Sequence, residues 1–426
     1  MKLHILYSTA LGILIWACSA RCGAQEPIEP QAKTALFDGQ TYTGWVRYLK
    51  NNQGDVDKTW QITPEGVLAC SGKPAGYIRT AQAYKNYKLH VEYRWPGKTG
   101  NNGILVHMTG EDQVWPHSLE CQGMYRNQGD FYEIGGVTFN EHTSGGHRVQ
   151  GRKVKKYGDS NEKEPGQWNV YEVWCVGSTI RPYVNGKLMN EASNCSLTEG
   201  KICLQSEGAP IEFRNLTIEP ATHKPWPVVP TKRIDLFNGK DLDGWVRFSP
   251  NDQQDEQKKW IVDKVWSVQD GITHCSGKPH GYLRTVESYA NYKLYVEWRW
   301  TAEPTNSGIL LHRTGIDKVW PQSVEAQLMH EKAGDFWLID NATLLVNGTQ
   351  IGPKRFANAK KRHPSNEKPA GQWNTYDILC DGGNVTLWVN GLQQNEGTSA
   401  NPSWGPICLQ SEGSPIEFRN VYLEPK

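Results

Sequence analysis

Two histidine–glutamate pairs recur at matched spacing: His107 precedes Glu120, and His312 precedes Glu325, by thirteen residues each. Imidazole titrates near neutral pH and a carboxylate accepts protons, so such a pair suits acid–base work on a polar substrate or the holding of a metal ion. Gln122 and Gln327 follow two residues after the glutamates, where an amide can orient hydroxyl groups. Glu92 with Arg94, and Glu297 with Arg299, share one face of a strand-like run. Glu207 and Glu412 alternate in the same way with Gln205 and Gln410, and Trp115 and Trp320 stand just before the Glu120 and Glu325 segments. A sheet that grips a polyhydroxylated ligand needs such polar faces, and an indole offers a stacking wall for a sugar ring.

Each reading has a structural rival. Glu92–Arg94 and Glu212–Arg214 also suit surface ion pairs, and the tryptophans also suit core packing. We favour ion pairing for Glu212 and Arg214, which stand beside apolar residues of a closing strand. We favour a site for His107, Glu120 and Gln122. His117, His142 and His147 face Gln322, Asn347 and Gly352 in the second half and read as loop surface. Arg152–Lys156 and Lys360–Arg362 read as solvated charge runs, or at most lid contacts.

The elements that must position these residues are written twice. LFDGQTYTGWVR at Leu36–Arg47 returns as LFNGKDLDGWVR at Leu236–Arg247, an offset of 200. From Cys70 onward the offset is 205, so the second copy holds five extra residues between Trp260 and Cys275. A period near 200 residues is too long for a solenoid, and each copy is expected to be a domain. Tyr87–Trp95 alternates apolar and polar residues, as does Tyr292–Trp300, and further short runs follow with Gly, Pro and Asn between them. Asn185-Gly186 and Asn390-Gly391 mark hairpins, since both turn positions want positive φ. The pattern predicts an all-β protein of two tandem jelly-roll β-sandwich domains at 34–220 and 233–426. Ala221–Lys232, with three prolines in twelve residues, forms a stiff linker. The irregular stretch from Gly135 to Pro165 matches the second copy in length but not in content, as loops over a site or partner surface do.

Composition narrows the function. Lys and Arg total 46 against 45 Asp and Glu, which gives no footprint for nucleic acid or an anionic membrane. Lys2, the apolar run Leu3–Ala17 and small residues up to Ala24 read as an export signal over 1–24, with Cys18 as an alternative lipidation point. The expected product lies in the periplasm or is lipid-anchored at the envelope, with no integral membrane span. Eight cysteines follow residue 24. A Cys175–Cys203 bridge, with Cys380–Cys408 matching it, and buried free thiols are both open readings.

LFNGKDLDGW, NSGILLH, GQWN, WVNG and GPICLQSEGSPIEFRN, in that order, resemble the family named for 3-keto-glycoside 1,2-lyase and 3-keto-2-hydroxy-glucal hydratase activity. The likeness covers both copies. It implies a concanavalin-like sandwich whose concave sheet binds carbohydrate, in exported bacterial proteins that act on sugars oxidised at carbon 3. The implied chemistry assigns Glu120 (Glu325) as base or metal ligand and His107 (His312) as acid–base partner or ligand. Arg94 (Arg299) would stabilise an enolate. Glu92, Gln122, Trp115 and Glu207, with Glu297, Gln327, Trp320 and Glu412, would bind the substrate. A divalent metal on His107, Glu120, His312 and Glu325 is left open, and the expected partner is a carbohydrate or 3-keto-glycoside. The rival function is a non-catalytic two-domain carbohydrate-binding protein.

Overall fold

The computed structural model describes residues 26–250 and 261–426, so the expected export signal at 1–24 and Cys18 lie outside the described residues. Each copy forms two antiparallel sheets packed face to face, because alternation along every long strand gives each sheet one apolar side to bury. In the first copy the back sheet runs Lys187–Leu188, Thr179–Val184, Asn169–Val176, Tyr87–Arg94, Ile211–Pro220, Leu68–Cys70, Trp60–Ile62. The front sheet runs Val149–Gln150, Lys153–Val154, Phe131–Ile134, His117–Gln122, Gly103–Thr109, Glu199–Ser206, Gly76–Thr80, Trp45–Leu49. Strands distant in sequence lie side by side in both, as jelly-roll wiring requires.

The second copy repeats this order, with Gln322–Gln327, Gly308–Thr314 and Cys408–Ser411 at the centre of its front sheet. Its back sheet is wider, because the hairpin Thr343–Val346 with Thr349–Ile351 joins it through Leu392–Asn401. Trp266 pairs with Cys275 as Trp60 pairs with Cys70, so the second copy gains six residues before the buried indole and loses one in the turn after it, a net five.

The core lies between the sheets. Tyr87, Leu89, Val91 and Tyr93 meet Ile104, Val106, Leu119, Cys121 and Leu204 there, and the second copy packs its equivalents alike. All eight described cysteines are buried free thiols. Cys175 faces this interior and Cys203 the outer side of the front sheet, so of the two readings left open the free thiols hold and the bridge does not form. Among the described residues no helix is long and apolar enough to cross a membrane.

The hairpin asparagines do more than turn the chain. Asn185, at φ 47, accepts from the Val170 backbone N–H at 2.9 Å and donates to Asn161 O and Asn169 Oδ1 at 3.0 and 2.9 Å. Asn390 repeats all three bonds. We expect Asn185→Ala to cost about 2 kcal/mol, since an alanine at positive φ also strands the partners. Urea unfolding checks this, and Asn185→Gly should cost less than the alanine.

Candidate active site

Glu120 projects from the outer face of the front sheet, where Leu105 on one neighbouring strand and Tyr132 on the other stand opposite it. The next row of that face reads Tyr48, Tyr77, Gln205, Gly103 and Gln122 across five strands. Gly103 has no side chain, and a Cβ there would overlap both the Gln205 amide oxygen and a Glu120 carboxyl oxygen. The two polar heads therefore lean over a glycine floor. Glu120 is only 6% exposed, yet its Oε1 has no hydrogen-bond partner, nor has Gln205 Oε1. Orphaned buried polar atoms are rare and costly, and here they converge on one spot.

The second copy rebuilds the same arrangement. A Cβ at Gly308 would overlap Glu325 and Gln410, and Glu325 Oε1 and Gln410 Oε1 are again buried without partners. Trp337 stands beside Glu325 as Tyr132 stands beside Glu120.

Burial sets the electrostatics. It pushes the Glu120 carboxyl up to about 8, the Glu207 charge adds to the rise, and Arg152 opposes it. Glu325 is pushed well above the ordinary carboxylate range by burial and by Glu412. Ala357 stands where the first copy has Arg152, so no cation there opposes the shift. Glu207 and Glu412 are also raised by burial, against hydrogen bonds from Trp115 and Trp320. The Trp320 indole N–H donates to Glu412 Oε1 at 2.8 Å. Trp115, 53% exposed, forms an open rim. Each face thus presents two interacting carboxyls, an amide and aromatic walls.

Several residues singled out in the sequence lie elsewhere. His107 is turned into the sandwich interior, where its ring meets Tyr87 edge-on at 5.7 Å, and His312 meets Tyr292 likewise. The cause is a β-bulge. Register shifts between Val106 and Thr109, His107 takes φ 55, and Gly200 opposite leaves no room for a Cβ against the His107 backbone. One inserted residue reverses the face that alternation assigns. His107 Nδ1 donates to the Leu197 carbonyl at 3.1 Å, and burial lowers both imidazoles to about 4. The expected pairing of His107 with Glu120, and of His312 with Glu325, is therefore corrected.

Glu92 and Arg94 face outward from the back sheet, on the far side of the sandwich from Glu120. Arg94 Nε donates to Glu212 at 2.6 Å and Arg214 Nε to Glu92 at 2.8 Å, with Trp168 stacked against both guanidiniums at 4.7 and 4.0 Å. Arg299, Glu417, Arg419 and Glu297 form the same lattice around Trp373. These are ion pairs with every partner supplied, and neither Arg94 nor Arg299 can reach an enolate at Glu120 or Glu325. Gln122 belongs to the front face, but its Oε1 accepts from the Gly123 and Met124 backbone, both at 2.8 Å, and Gln327 does the same for Leu328 and Met329. Their amide oxygens fix the strand end.

Gln205, Gln410, Tyr132, Trp337 and Arg152 join the site without having been chosen for it. Gln205 and Gln410 recur on one strand face in both copies, which was the available signal. A metal does not fit the expected ligands: each histidine and its glutamate lie on opposite sides of a sheet. No group of three His, Cys, Asp or Glu side chains suited to a metal occurs among the described residues.

With this geometry in view, relationships to other proteins become informative. The 3-keto-alpha-glucoside-1,2-lyase-like domain matches residues 32–219 and again 232–424. The chain belongs to that family, twice over. A 3-keto-disaccharide hydrolase of Bacteroides thetaiotaomicron is 29% identical over 89 residues, which span 19% of this chain and 29% of that protein. Among solved structures, a Bacillus licheniformis beta-glucanase matches at 14% identity and TM-score 0.32, covering 44% of this chain and 98% of its own. A carbohydrate-binding module from Bacillus subtilis matches at 13% identity and TM-score 0.30, covering 41% and 95%.

Two opposed pH effects follow. Raised Glu120 binds its proton more tightly in the folded state, so its contribution is full below the unfolded value of 4.5 and is lost as pH rises through about 8. Lowered His107 works the other way, and its contribution is lost as pH falls from 6.5 through about 4. We expect Glu120→Gln to flatten the alkaline decline in unfolding free energy and His107→Leu to flatten the acid one. Denaturant titrations at a series of pH values separate the two.

Proposed function

We propose that each front face cleaves 3-keto-glycosides by eliminating the glycosidic oxygen, and that the same face can add water to the resulting glycal. The observation that carries the reading is the pair of orphaned oxygens, Glu120 with Gln205 and Glu325 with Gln410, over a glycine floor in both copies. A ketone at carbon 3 acidifies the hydrogen at carbon 2, and a carboxylate is the base such a proton needs. Glu120 takes that proton. Electrons move into the carbon 1–carbon 2 bond as the carbon 1–oxygen bond breaks, and Glu207, raised by burial, donates a proton to the leaving oxygen. Gln205 positions the ring, Trp115 and Tyr132 flank it, and Arg152 stabilises the negative charge that develops in the first copy.

Elimination followed by hydration amounts to hydrolysis. This reconciles the lyase in the family's name with the hydrolase in the relative's name. A base that titrates near 8 is well matched to mildly alkaline conditions. The apolar, positively charged N-terminal segment supports export, and fractionating cells that express the tagged chain would test it.

We expect Glu120→Gln with Glu325→Gln to lower turnover of a 3-keto-glucoside by at least about a hundredfold while leaving the circular dichroism spectrum unchanged. The appearance of an ultraviolet-absorbing enone measures the wild-type reaction. Binding without that product, or full turnover in the double variant, would overturn the proposal. With Glu325→Gln alone, the remaining kcat/KM should pass through a maximum with pH, because Glu120 must lose its proton to act while Glu207 must keep the one it donates.

A further inference from the structure

The front face continues one row beyond the glycine floor. In the first copy Gly103 stands opposite both Gln122 and Gln205, so two residues further along each strand Asn101 stands between Glu207 and Met124. The Gly123 N–H donates to Asn102 O at 2.7 Å and the Tyr125 N–H to Gly100 O at 3.0 Å, which carries the register that far. In the second copy Asn306 stands between Glu412 and Met329. There the Leu328 N–H donates to Ser307 O at 3.0 Å and the His330 N–H to Thr305 O at 2.9 Å. The row through Leu105 and Leu310 is sealed, but this one is open. Its glutamates and asparagines are part-exposed, and Met124 and Met329 are 43% and 45% exposed.

The amide in the middle of this row is unmatched. Asn101 Oδ1 and Asn306 Oδ1 have no hydrogen-bond partner, a third orphaned oxygen on each face after those of the glutamate and the glutamine. The backbone beside them is packed closely. A Cβ on Gly100 would overlap Ala209, and one on Gly413 would overlap Thr305 and press on Asn306. Each asparagine is therefore held firmly in place, while the carbonyl end of its amide is given nothing to bond.

The order of the reacting atoms gives the row a role. Glu120 acts at carbon 2 and Glu207 at the oxygen on carbon 1, so the leaving group lies on the far side of that oxygen from the keto ring. Asn101 is on the strand next to Glu207, about 4.8 Å across the sheet, and about 7 Å along its own strand from the Gly103 floor. An amide suits hydroxyl groups, and an exposed thioether offers a soft apolar surface to the C–H face of a ring. In the first copy Ala75 continues the row past Glu207, so the row holds no cation for an anionic leaving group.

We propose that Asn101 and Met124 beside Glu207, and Asn306 and Met329 beside Glu412, form the subsite for the leaving group and fit it to a second sugar unit. The amide engages a hydroxyl of that sugar, and the thioether packs against its ring. The proposal rests on the elimination reading above. It makes Asn101 and Met124 specificity-determining residues, whose contacts with the leaving sugar hold the breaking bond against Glu207.

The test uses the full chain carrying Glu325→Gln, so that only the first site turns over. Maltose oxidised at carbon 3 of its non-reducing sugar is compared with methyl α-glucoside oxidised at carbon 3. The two share the keto ring, and the methyl group gives the row almost nothing to hold. Adding Asn101→Ala or Met124→Ala should lower kcat/KM at least about tenfold for the keto-maltose and less than about threefold for the methyl glycoside. Met124 is exposed and its truncation spares the core, so its ratio decides the matter even where Asn101→Ala does not fold. Equal losses on the two substrates in a folded variant, or no loss on the keto-maltose, would overturn the leaving-group subsite and leave the elimination reading standing. If the Glu325→Gln chain consumes neither keto sugar, the elimination reading falls and takes the subsite with it.

Discussion

A carboxyl oxygen buried without a partner is among the more costly features a sheet can carry, and this chain carries it twice at the same place. Everything around Glu120 and Glu325 maintains that condition. Gly103 and Gly308 leave the floor bare, Gln205 and Gln410 bring a second unsatisfied oxygen, and Tyr132 and Trp337 screen the strand beyond. Neither carboxyl is given an arginine partner, although paired arginines and glutamates abound on the back sheet. The sandwich core supplies the rigidity that holds a polar group in this unfavourable state, and a bound substrate would relieve it.

The two sheets divide the work. On the back sheet, Glu92, Arg94, Glu212 and Arg214 neutralise one another around Trp168, so that face is chemically complete. At the front-sheet site Glu120 and Glu325 are left without an ion-pair partner, and burial rather than pairing sets their protonation. Duplication then lets the copies diverge at the margins. Arg152 against Ala357 changes how firmly the carboxyl holds its proton.

Much of the fold was legible in the residues. Alternation in Tyr87–Arg94 correctly sorts the inward Leu89 and Val91 from the outward Glu92 and Arg94, and Asn-Gly marks the hairpins. Alternation does not say which of two sheets faces a ligand, and so Arg94 enters the expected site beside Glu120 as an enolate stabiliser. His107 misled for a different reason: a bulge turns it inward, and nothing in NNGILVH announces a positive φ at histidine. Recurrence in both copies was no filter either, since a buried imidazole and a bulge are repeated as faithfully as a reactive carboxyl. Gln205 was visible on its strand face, but its role depends on Gly103, far earlier in the chain yet opposite it on the adjacent strand, which only the register reveals.

The claim at the centre is that the front-face carboxyls remove the proton from carbon 2 of a 3-keto sugar. Nuclear magnetic resonance of a 3-keto-glucoside in heavy water, with and without the protein, measures this directly. Protein-dependent deuterium at carbon 2 of recovered substrate or hydrated product, absent from carbon 4 and lost with Glu120→Gln and Glu325→Gln together, is the expected result. Cleavage that proceeds with carbon 2 still fully protonated would contradict it.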